Sequence, residues 1–271
     1  MPELGEVDFF RRKWDVALGE RVDRVTLKAG ARTFKGTDLA AIEGSLPGRA
    51  LRSSEAAGKQ MLFRFGTDGW LGLHLGMSGN LGVRPPDFEP GAHDKLVLYT
   101  TKHALVYNDP RMFGRVRFAV GPKAPLWWSS IAPSLASKEF SQKAVAAFLH
   151  RRSRTAVKSV LLMQERFPGI GNWMADEILW RAAIHPLRLA GSLESSEIEA
   201  LWRECRWVAR QALKIIGVEH RKLPATWLFP HRWREGGRDP RTGTLLRREQ
   251  VGGRTTCWSP ARQKLRTARQ S

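Results

Sequence analysis

The chain has 271 residues, of which 42% are apolar, and this length suits one large domain or two modest ones with a hydrophobic core. No apolar stretch approaches the roughly 18–20 residues of a membrane-spanning helix, and an acidic third residue without a following apolar run is unlike a signal peptide. The formal net charge of +19 predicts a polyanionic partner, most often nucleic acid, with ribosomal RNA or an anionic membrane surface as alternatives. We expect a cytoplasmic, nucleoid-associated protein.

The first three residues place a proline and a carboxylate directly behind the initiator methionine. After removal of Met1, Pro2 would carry a secondary amine, and a terminal amine with a reference pKa of about 7.7–8.0 is partly unprotonated at neutral pH. Such an amine can attack an electrophilic carbon, and its adduct with an aldehyde carbon is a charged iminium that needs no deprotonation. The neighbouring Glu3 is a candidate for proton transfer. The simpler alternative is that Pro2 only begins a helix.

The first 120 residues predict a helix followed by a sheet. Residues 5–18 are predicted to form an amphipathic helix, because Val7, Phe10, Trp14 and Leu18 fall on one face. Residues 22–120 are predicted to be mostly strand, since short apolar runs alternate with Gly, Pro, Asn and Asp turns. These runs are Met61–Phe65, Trp70–Leu75, Leu96–Tyr99, Leu105–Tyr107 and Val116–Val120. The pattern favours an antiparallel sandwich or barrel with the N-terminal helix against it.

The rest of the chain predicts helices and a terminal hairpin. Helical patterns cover residues 138–150, 155–165, 173–183 and 194–216. Two β-type runs, Thr244–Arg247 and Arg254–Trp258, surround Gly252-Gly253 and predict a hairpin. A Pro- and Ser-rich stretch before the helices indicates a linker. We place a first domain at 1–122, the linker at 123–137, a helical domain at 138–226, and the hairpin with a basic tail at 227–271.

Two short motifs are typical of phosphate contacts. Pro168-Gly-Ile-Gly-Asn172 lies between two predicted helices, where its glycines allow a tight turn and the next helix directs its free N–H groups outward. Asn172 can cap that helix or donate to a phosphate, and the alternative is an ordinary helix–turn–helix corner. Gly58-Lys59 precedes an apolar strand, where Lys59 can hold a phosphate or tune a nearby amine. The commoner alternative is a solvated edge charge.

Two glycine-containing loops carry an apolar side chain, and one of them also carries a cation. Met77 lies in the segment His74-Leu-Gly-Met-Ser-Gly79, and Arg111 and Phe113 lie in the segment 108–114. Apolar wedges with a cation in tight loops are suited to filling a duplex after a base has left the stack. The alternative is that Met77 and Phe113 are core residues at turns.

In this order the motifs resemble the formamidopyrimidine-DNA glycosylase / endonuclease VIII family over nearly the whole chain. Each motif is common by itself, whereas their conjunction is highly specific. The matching positions are Pro2-Glu3-Leu4, Glu6, Gly58-Lys59, His74-Leu-Gly-Met-Ser-Gly79, Asp109-Pro-Arg111, Phe113-Gly114, Lys158, Gln164, Gly169-Ile-Gly-Asn172, Ala175-Asp-Glu177, Arg181-Ala182 and Ile184-His-Pro186. The resemblance implies an α+β fold: an N-terminal β-sandwich with an N-terminal helix, then a helix–two-turn–helix domain ending in a β-hairpin finger.

The resemblance also implies a role for each matching residue. Pro2 is the expected nucleophile at C1′ of a damaged nucleotide, and Glu3 the expected proton donor to the opening sugar. Glu6 matches a second acidic position near the site, and Lys59 is expected to contact a phosphate beside the lesion. The other residues expected to bind DNA are Met77, Arg111, Phe113, Lys158, Asn172 and Arg254. The first three would fill the gap and read the opposite strand, while Asn172 and Arg254 would bind backbone phosphate.

The chain departs from the family pattern at the metal site of the finger. The four cysteines that bind zinc in the family fall on Asp239, Thr242, Ser259 and Arg262. Oxygen and nitrogen side chains of these kinds make no structural zinc site, and Cys257 is offset by two residues. The only other cysteine is Cys205, so a four-cysteine site is excluded. We therefore expect no cofactor and a zincless finger held by packing and hydrogen bonds.

Two further departures concern the active site. Gly5 stands where the family usually has a second proline, which loosens the turn behind the nucleophile. The segment between Ile216 and Phe229 is short and lacks the loop that covers a flipped oxidised guanine in the formamidopyrimidine branch. This absence argues against 8-oxoguanine as the preferred base and toward the endonuclease VIII-like side of the family.

We therefore predict a bifunctional DNA glycosylase and AP lyase of base excision repair that acts through a Pro2 Schiff base and β/δ-elimination. Oxidised pyrimidine or formamidopyrimidine lesions are expected rather than 8-oxoguanine. The expected partner of the monomer is damaged double-stranded DNA, with single-stranded or bubble DNA as further candidates and no membrane. One alternative is a non-catalytic lesion- or DNA-structure-binding protein with the same cleft, and another is a basic RNA- or ribosome-binding protein. Retention of Pro2, Glu3 and Lys59 favours the enzyme.

Overall fold

The computed structural model describes residues 1–265. The chain divides into two compact units, Met1–Ile131 and Ala132–Ser271, and the boundary falls within the segment 123–137 predicted as the linker. This segment includes a short helix, Leu126–Ser129, which belongs to the first unit. Within residues 1–265, no helix is both long enough and apolar enough to span a bilayer.

The first unit contains three helices and two four-stranded antiparallel sheets. The helices are α1 (Leu4–Lys13), α2 (Leu39–Ser45) and α3 (Leu126–Ser129). The strands are β1 (Val22–Leu27), β2 (Leu51–Ala57), β3 (Gln60–Phe65), β4 (Gly69–His74), β5 (Asn80–Arg84), β6 (Asp94–Thr100), β7 (Ala104–Asn108) and β8 (Arg115–Val120). One sheet has the order β1-β6-β7-β5 and the other the order β2-β3-β4-β8.

Side chains from both sheets share one hydrophobic core. Phe63 and Leu71 come from one sheet, Leu98 and Leu105 come from the other, and all four are completely buried. Their alternation with outward-facing neighbours follows the two-residue period of a strand. The unit is therefore a β-sandwich with a packed N-terminal helix, as the predicted fold class has it.

The N-terminal helix is shorter than its sequence pattern predicts. Helix α1 ends at Lys13, and residues 14–17 form a 3-10 turn, which has about 3.0 residues per turn instead of 3.6. Val7 and Trp14 are buried as predicted, whereas Leu18 is 46% exposed. The prediction of one helix over residues 5–18 is therefore corrected, because the tighter turn rotates Leu18 away from the buried face.

The five apolar runs of the first unit largely coincide with β3, β4, β6, β7 and β8. The remaining strands, β1, β2 and β5, carry more polar and half-buried residues, so their pattern is weaker in the sequence. They form because backbone pairing with a strongly apolar neighbour supplies the hydrogen bonds and the register.

Within its described residues, the second unit has four main helices and a terminal hairpin. The helices are α4 (Gln142–Arg151), α5 (Val157–Leu161), α6 (Asn172–Arg181) and α7 (Ser195–Ala212), which continues as a π-helical turn to Val218. Ser141 caps α4 by accepting a hydrogen bond from the backbone N–H of Ala144 at 3.2 Å. Glu194 and Glu197 form a capping box at the start of α7.

The terminal hairpin lies slightly later in the chain than predicted. Its strands are β9 (Arg247–Val251) and β10 (Arg254–Trp258), joined by Gly252-Gly253. Both glycines have positive φ, 57° and 72°, which is the geometry of the two-residue type I′ turn that matches the strand twist. A two-residue turn requires the strands to flank it directly, so the first strand is Arg247–Val251 and the prediction of Thr244–Arg247 is wrong.

Candidate active site and nucleic-acid interface

The N-terminus of the chain is held by the start of α1. Glu3 is the N-cap residue and is only 2% exposed. The Glu6 carboxylate Oε2 accepts a hydrogen bond from the backbone N–H of Glu3 at 3.2 Å, and the Glu3 side chain reciprocates toward the backbone of Glu6. This capping box fixes the direction in which the chain enters the helix. Half-buried Pro2 directly precedes it, so its position is set by Glu3 and Glu6.

Helix α1 is in turn locked onto the sandwich by a buried arginine. The Arg11 guanidinium donates to Asp8 at 2.8 Å, to Asp15 at 2.8 Å and to the Ser54 hydroxyl of β2 at 2.7 Å. Arg11 is 8% exposed, and such charge-assisted hydrogen bonds are stronger than neutral ones. The helix that carries the N-terminus therefore has a defined position relative to β2.

Lys59 lies in the two-residue turn between β2 and β3. Gly58 takes a positive φ of 59° at the first turn position, which is typical of a type II′ hairpin turn. Lys59 itself is 9% exposed, so the alternative of a fully solvated edge charge does not describe it. Its ammonium is one of the charges that lower the pKa of His74, so the two side chains are electrostatic neighbours.

His74 is a candidate site residue to which the sequence analysis assigned no role. Burial lowers its pKa, and the charges of Lys59 and Arg117 lower it further against the opposing effect of Asp109. Its Nδ1 accepts a hydrogen bond from the backbone N–H of Gly76 at 3.1 Å. A neutral imidazole that accepts at Nδ1 carries its proton on Nε2 and can donate it to an anion. Its place in the His74–Gly79 motif was the sequence feature from which a role for His74 could have been predicted.

Met77, Arg111 and Phe113 are surface residues on two loops. Met77 is 43% exposed and Phe113 is 44% exposed, so neither is the core residue that the alternative interpretation required. The Arg111 guanidinium lies 4.8 Å from the centre of the Phe113 ring, within cation–π distance. The arrangement presents two apolar side chains and a cation to the outside of the first unit.

A buried aspartate ties these two loops together. Asp109 is completely buried and accepts a hydrogen bond from the backbone N–H of Gly114 at 2.8 Å. It also accepts from the hydroxyl groups of Tyr107 at 3.3 Å and Ser78 at 3.4 Å. Ser78 belongs to the Met77 loop and Gly114 to the Phe113 loop, so one carboxylate positions both. Burial and the Asp109 charge raise the pKa of Tyr107, so this hydroxyl remains a donor.

The same two loops pack closely enough to require glycine. A Cβ on Gly76, where φ is +60°, would lie 2.3 Å from the backbone carbon of Phe113. A Cβ on Gly114 would lie 1.8 Å from the Tyr107 hydroxyl oxygen. Both contacts are far below van der Waals distance, so the glycines permit the backbone approach that sets the spacing of Met77 and Phe113.

In the second unit, the turn before α6 contacts the terminal hairpin. The Asn172 amide Nδ2 donates to the backbone carbonyl of Thr255 in β10 at 2.8 Å, and Arg254, exposed, is the preceding residue. The Asn172 Oδ1 is buried without a hydrogen-bond partner within residues 1–265. Gln164 supports the turn by accepting from the N–H of Gly169 at 3.1 Å. The structure thus places Asn172 against the backbone of β10, in which Arg254 is the residue before its partner Thr255.

Lys158 does not lie where a DNA contact would require it. Its side chain is completely buried, and its ammonium forms an ion pair with Asp176 of α6. Asp176 also accepts from the Arg232 guanidinium at 2.6 Å and from the backbone N–H of Cys257 at 3.0 Å. The prediction of a direct DNA contact at Lys158 is therefore corrected, because its charge is neutralised in the interior of the second unit, where it joins α5 to α6.

The four positions of the family's zinc site form a hydrogen-bonded cluster. The Ser259 hydroxyl donates to the Asp239 carboxylate, and the Ser259 backbone N–H donates to Gln263 at 2.8 Å. Burial acts to raise the pKa of Asp239, but the hydrogen bonds from Ser259 and the backbone of Arg241 outweigh it and hold that pKa low.

This cluster does not fit a structural zinc ion. Hydroxyl groups and an arginine guanidinium replace thiolates, and a guanidinium has no lone pair to offer a metal. Burial raises the pKa of the nearby Cys257 thiol to about 12, which keeps it protonated. Within residues 1–265, no three His, Cys, Asp or Glu side chains converge in a way that could hold a metal ion.

The segment between α7 and the hairpin is anchored by aromatic packing. Trp227 is 3% exposed and stacks on Trp207 of α7, with ring centres 5.2 Å apart. The Arg181 guanidinium lies 3.6 Å from the centre of the Trp207 ring. Leu223 and Leu228 are also buried, so packed side chains hold this short segment at several positions.

Comparisons with known proteins place the chain in a family. The model of the formamidopyrimidine-DNA glycosylase N-terminal domain matches residues 1–116, and the model of the formamidopyrimidine-DNA glycosylase H2TH domain matches residues 131–222. The formamidopyrimidine-DNA glycosylase of Geobacter metallireducens is 35% identical over 269 residues, which cover 96% of this chain and 98% of that protein. The corresponding protein of a Roseiflexus species is 34% identical, covering 97% of this chain and all of that protein.

Solved structures of Lactococcus lactis Fpg share the fold. The wild-type protein in complex with DNA containing an oxidised pyrimidine matches with a TM-score of 0.88 and 25% identity, covering 97% of this chain and 100% of that chain. A mutant of the same protein bound to DNA containing Fapy-dG matches with a TM-score of 0.87 and 26% identity, with the same coverage.

The chain therefore belongs to the formamidopyrimidine-DNA glycosylase family, and the resemblance inferred from its motifs is confirmed. It is a DNA-binding repair enzyme, a DNA glycosylase with lyase activity at abasic sites.

Proposed function

We propose that this enzyme removes oxidised bases through a Schiff base on Pro2 and cleaves the resulting abasic site by β/δ-elimination. The observation that carries the proposal is the N-terminus itself: Pro2 directly precedes a buried glutamate that caps a helix clamped to the sandwich. A terminal amine in a defined position beside a carboxyl group is what an amine nucleophile needs.

The proposed chemistry follows from these two groups. The Pro2 nitrogen attacks C1′, the glycosidic electron pair leaves with the base, and the opened sugar is held as an iminium. Glu3 supplies a proton to the sugar ring oxygen as the ring opens. Loss of a proton from C2′ then expels the 3′ phosphate, and loss of a proton from C4′ expels the 5′ phosphate. Glu6 acts by holding the backbone N–H of Glu3, and Lys59 by contacting a neighbouring phosphate.

The remaining residues support binding of damaged duplex DNA. Exposed Met77, Arg111 and Phe113 would fill the gap that an extruded base leaves. Asn172, which donates to the carbonyl of Thr255, and Arg254, the residue before Thr255, would bind backbone phosphate. We propose a monomer that works on the nucleoid in the cytoplasm, with damaged double-stranded DNA as substrate and single-stranded or bubble DNA as further candidates.

Oxidised pyrimidine and formamidopyrimidine bases are the proposed lesions, in preference to 8-oxoguanine. The segment between α7 and the hairpin is short, and Trp227 is stacked on Trp207 instead of being available to cover a flipped purine. Lactococcus lactis Fpg has been solved in complex with DNA containing each of the two proposed kinds of lesion.

The finger is proposed to work without a metal. The Ser259–Asp239 hydrogen bond and the contact of Ser259 with Gln263 join the ends of the segment that zinc would otherwise join. The proposed chemistry needs no cofactor, because its only nucleophile is the amine of Pro2.

Borohydride trapping tests the proposal. Protein whose Met1 removal has been verified by mass is incubated with duplexes that contain an abasic site, an oxidised pyrimidine, a formamidopyrimidine or 8-oxoguanine. We expect a covalent band on the abasic duplex, a ranking of the base lesions in the proposed order, and complete loss of trapping in Pro2→Gly. The matched control is Pro47→Gly, which makes the same change at an exposed position of the same unit and should trap normally.

A non-catalytic lesion-binding protein is the second candidate, and Gly5 is the observation that favours it. Gly5 is buried in the first turn of α1, and glycine there weakens the restraint on the residues before it. Tight binding of the abasic duplex by the wild-type protein without any covalent band would establish this candidate and contradict the first.

A further inference from the structure

The outer face of the sheet β2-β3-β4-β8 carries a groove of about 570 Å³ at the end that bears the Phe113 loop. Its cationic lining consists of Arg32, Lys35, Arg115 and Arg117. Within the described residues 1–265, no Asp or Glu lines it. The groove lies wholly within the first unit, and neither the motifs of the sequence nor the residues discussed so far explain its charge.

Strand register places the two arginines of β8 on the face of the groove. Arg115 pairs with His74 and Arg117 pairs with Gly72, while the intervening Val116 points into the core. Residues two apart on a strand share a face and lie roughly 6.6–7 Å apart. Arg32 and Lys35 come from the 3-10 turn Arg32–Phe34 and its end, so cations from separate elements converge on one space.

These cations have no counter-charge among the described residues. None of Arg32, Lys35, Arg115 and Arg117 makes an ion pair or a side-chain hydrogen bond within residues 1–265. The Arg117 guanidinium lies 5.5 Å from the centre of the Trp127 ring. Burial lowers the pKa of Arg117, and the neighbouring charge of Arg115 lowers it further. Like charges held together without a counter-charge repel each other, and a bound anion would relieve that repulsion.

The groove is continuous with the loop that bears the proposed wedge. Met112, Phe113 and Gly114 form one end of its lining, and Met112 is held at a φ of 53°, an uncommon conformation for a residue other than glycine. A DNA strand that passes the exposed ring of Phe113 therefore reaches the four cations next. Guanidinium groups bind phosphate oxygens through planar, two-point hydrogen bonds, and three of the four cations are arginines.

We propose that this groove binds the phosphodiester backbone of DNA next to the lesion, without reading the sequence. The proposal rests on the proposed function, in which Phe113 enters the gap left by an extruded base. The ligand chemistry is a run of phosphodiester groups, which either the damaged strand or its complement could supply.

Fluorescence anisotropy with a lesion-containing duplex across a salt series tests the proposal. Arg115→Gln with Arg117→Gln should raise Kd about tenfold and should lower the slope of log Kd against log salt by about 2, roughly 0.9 for each lost phosphate contact. The control is Arg52→Gln with Arg64→Gln, which removes two charges from the same sheet outside the groove. It should change neither quantity by more than the general effect of net charge.

Arg32→Glu with Lys35→Glu provides a second variant on a separate and exposed element. It should weaken binding at least as much, so a folding defect in the β8 variant would not decide the outcome. A Kd and a salt slope that match the control in both groove variants would overturn the proposal.

Single-stranded and duplex abasic DNA identify the strand. If the groove binds the complement, the groove variants weaken duplex binding only; if it binds the damaged strand, they weaken both. Borohydride trapping at saturating protein separates this inference from the proposed function. Wild-type protein that binds DNA but forms no covalent band contradicts the proposed chemistry, whereas groove variants that trap normally and bind normally contradict only the groove.

Discussion

In each unit of the protein, a buried aspartate positions the segments that carry the proposed DNA-binding residues, but the two aspartates have different partners. In the first unit, Asp109 accepts hydrogen bonds from two hydroxyl groups and a backbone N–H, all of them neutral. In the second unit, Asp176 forms ion pairs with Lys158 and Arg232 and accepts the backbone N–H of Cys257. The first joins two loops of one sandwich, and the second joins α5, α6, the segment after α7 and the hairpin.

The difference lies in what remains when the aspartate is lost. Neutral donors without an acceptor cost a modest desolvation penalty each, about 1–3 kcal/mol. Two buried cations that lose their shared carboxylate cost more, because a buried charge without compensation is strongly destabilising. The second unit is therefore the more sensitive of the two to removal of a single charge.

Asp176→Asn should have the largest effect on stability. Loss of the carboxylate that pairs with both Lys158 and Arg232 should lower the free energy of unfolding of the second unit by about 3–5 kcal/mol. Urea unfolding, followed together with limited proteolysis of the hairpin, measures this. Glu199→Gln, at an exposed position of α7, is the control and should change stability little. A loss of less than about 1 kcal/mol in Asp176→Asn would break the comparison.

The adjacent Glu177 sharpens the comparison, because burial raises its pKa to about 7 against the effects of Arg181 and the Phe229 N–H. The folded state therefore holds a proton that the unfolded state releases near pH 4.5. The stability this proton contributes is present at low pH and is lost as the pH rises through about 7.

Glu177→Gln should remove that dependence. Relative to wild type, the variant should gain free energy of unfolding as the pH rises from about 4.5 to about 7, by up to about 3 kcal/mol for a pKa difference of this size, and the difference should stay constant at higher pH. Urea unfolding at a series of pH values measures the difference. A wild-type minus variant difference that stays constant with pH would contradict the raised pKa of Glu177.

Asp109→Asn should have a smaller effect on stability and a specific effect on lesion recognition. We expect the free energy of unfolding of the first unit to fall by about 2 kcal/mol, since an amide can accept some of the same hydrogen bonds. Covalent trapping on a base lesion should slow about tenfold, while trapping on a ready-made abasic site should change less, because only the former needs Met77 and Phe113 to replace a base. Ser78→Ala, which removes one of the three donors, should show a weaker form of both effects. Equal slowing on both substrates would contradict the positioning role.

Ser259→Ala should have the smallest effect, about 1 kcal/mol, because it removes one hydrogen bond to Asp239 from the finger. Treatment of the wild-type protein with a metal chelator should leave its melting temperature and DNA binding unchanged. A drop in melting temperature on chelation, restored by zinc, would show that the finger depends on a metal after all.

The family and the fold class are properties that the sequence alone determined. Motifs such as Pro2-Glu3 and Gly169-Ile-Gly-Asn172 consist of neighbouring residues. They and their order along the chain can therefore be recognised without the structure. Five of the eight strands of the sandwich were also predictable, since apolar runs such as Met61–Phe65 indicate burial through their own composition, whereas β1, β2 and β5 depend on pairing with these strands.

Tertiary contacts decided what composition does not encode. Lys158 has the charge expected of a residue that binds phosphate. Only the packing of α5 on α6 shows that its ammonium forms an ion pair with Asp176 instead. Leu18 continues a helical pattern, and only the 3-10 turn after Lys13 turns it to solvent. The hydrogen bonds of Asp109 and the lining of the basic groove join residues far apart in the chain. Their chemistry therefore exists only once the strands are paired in register.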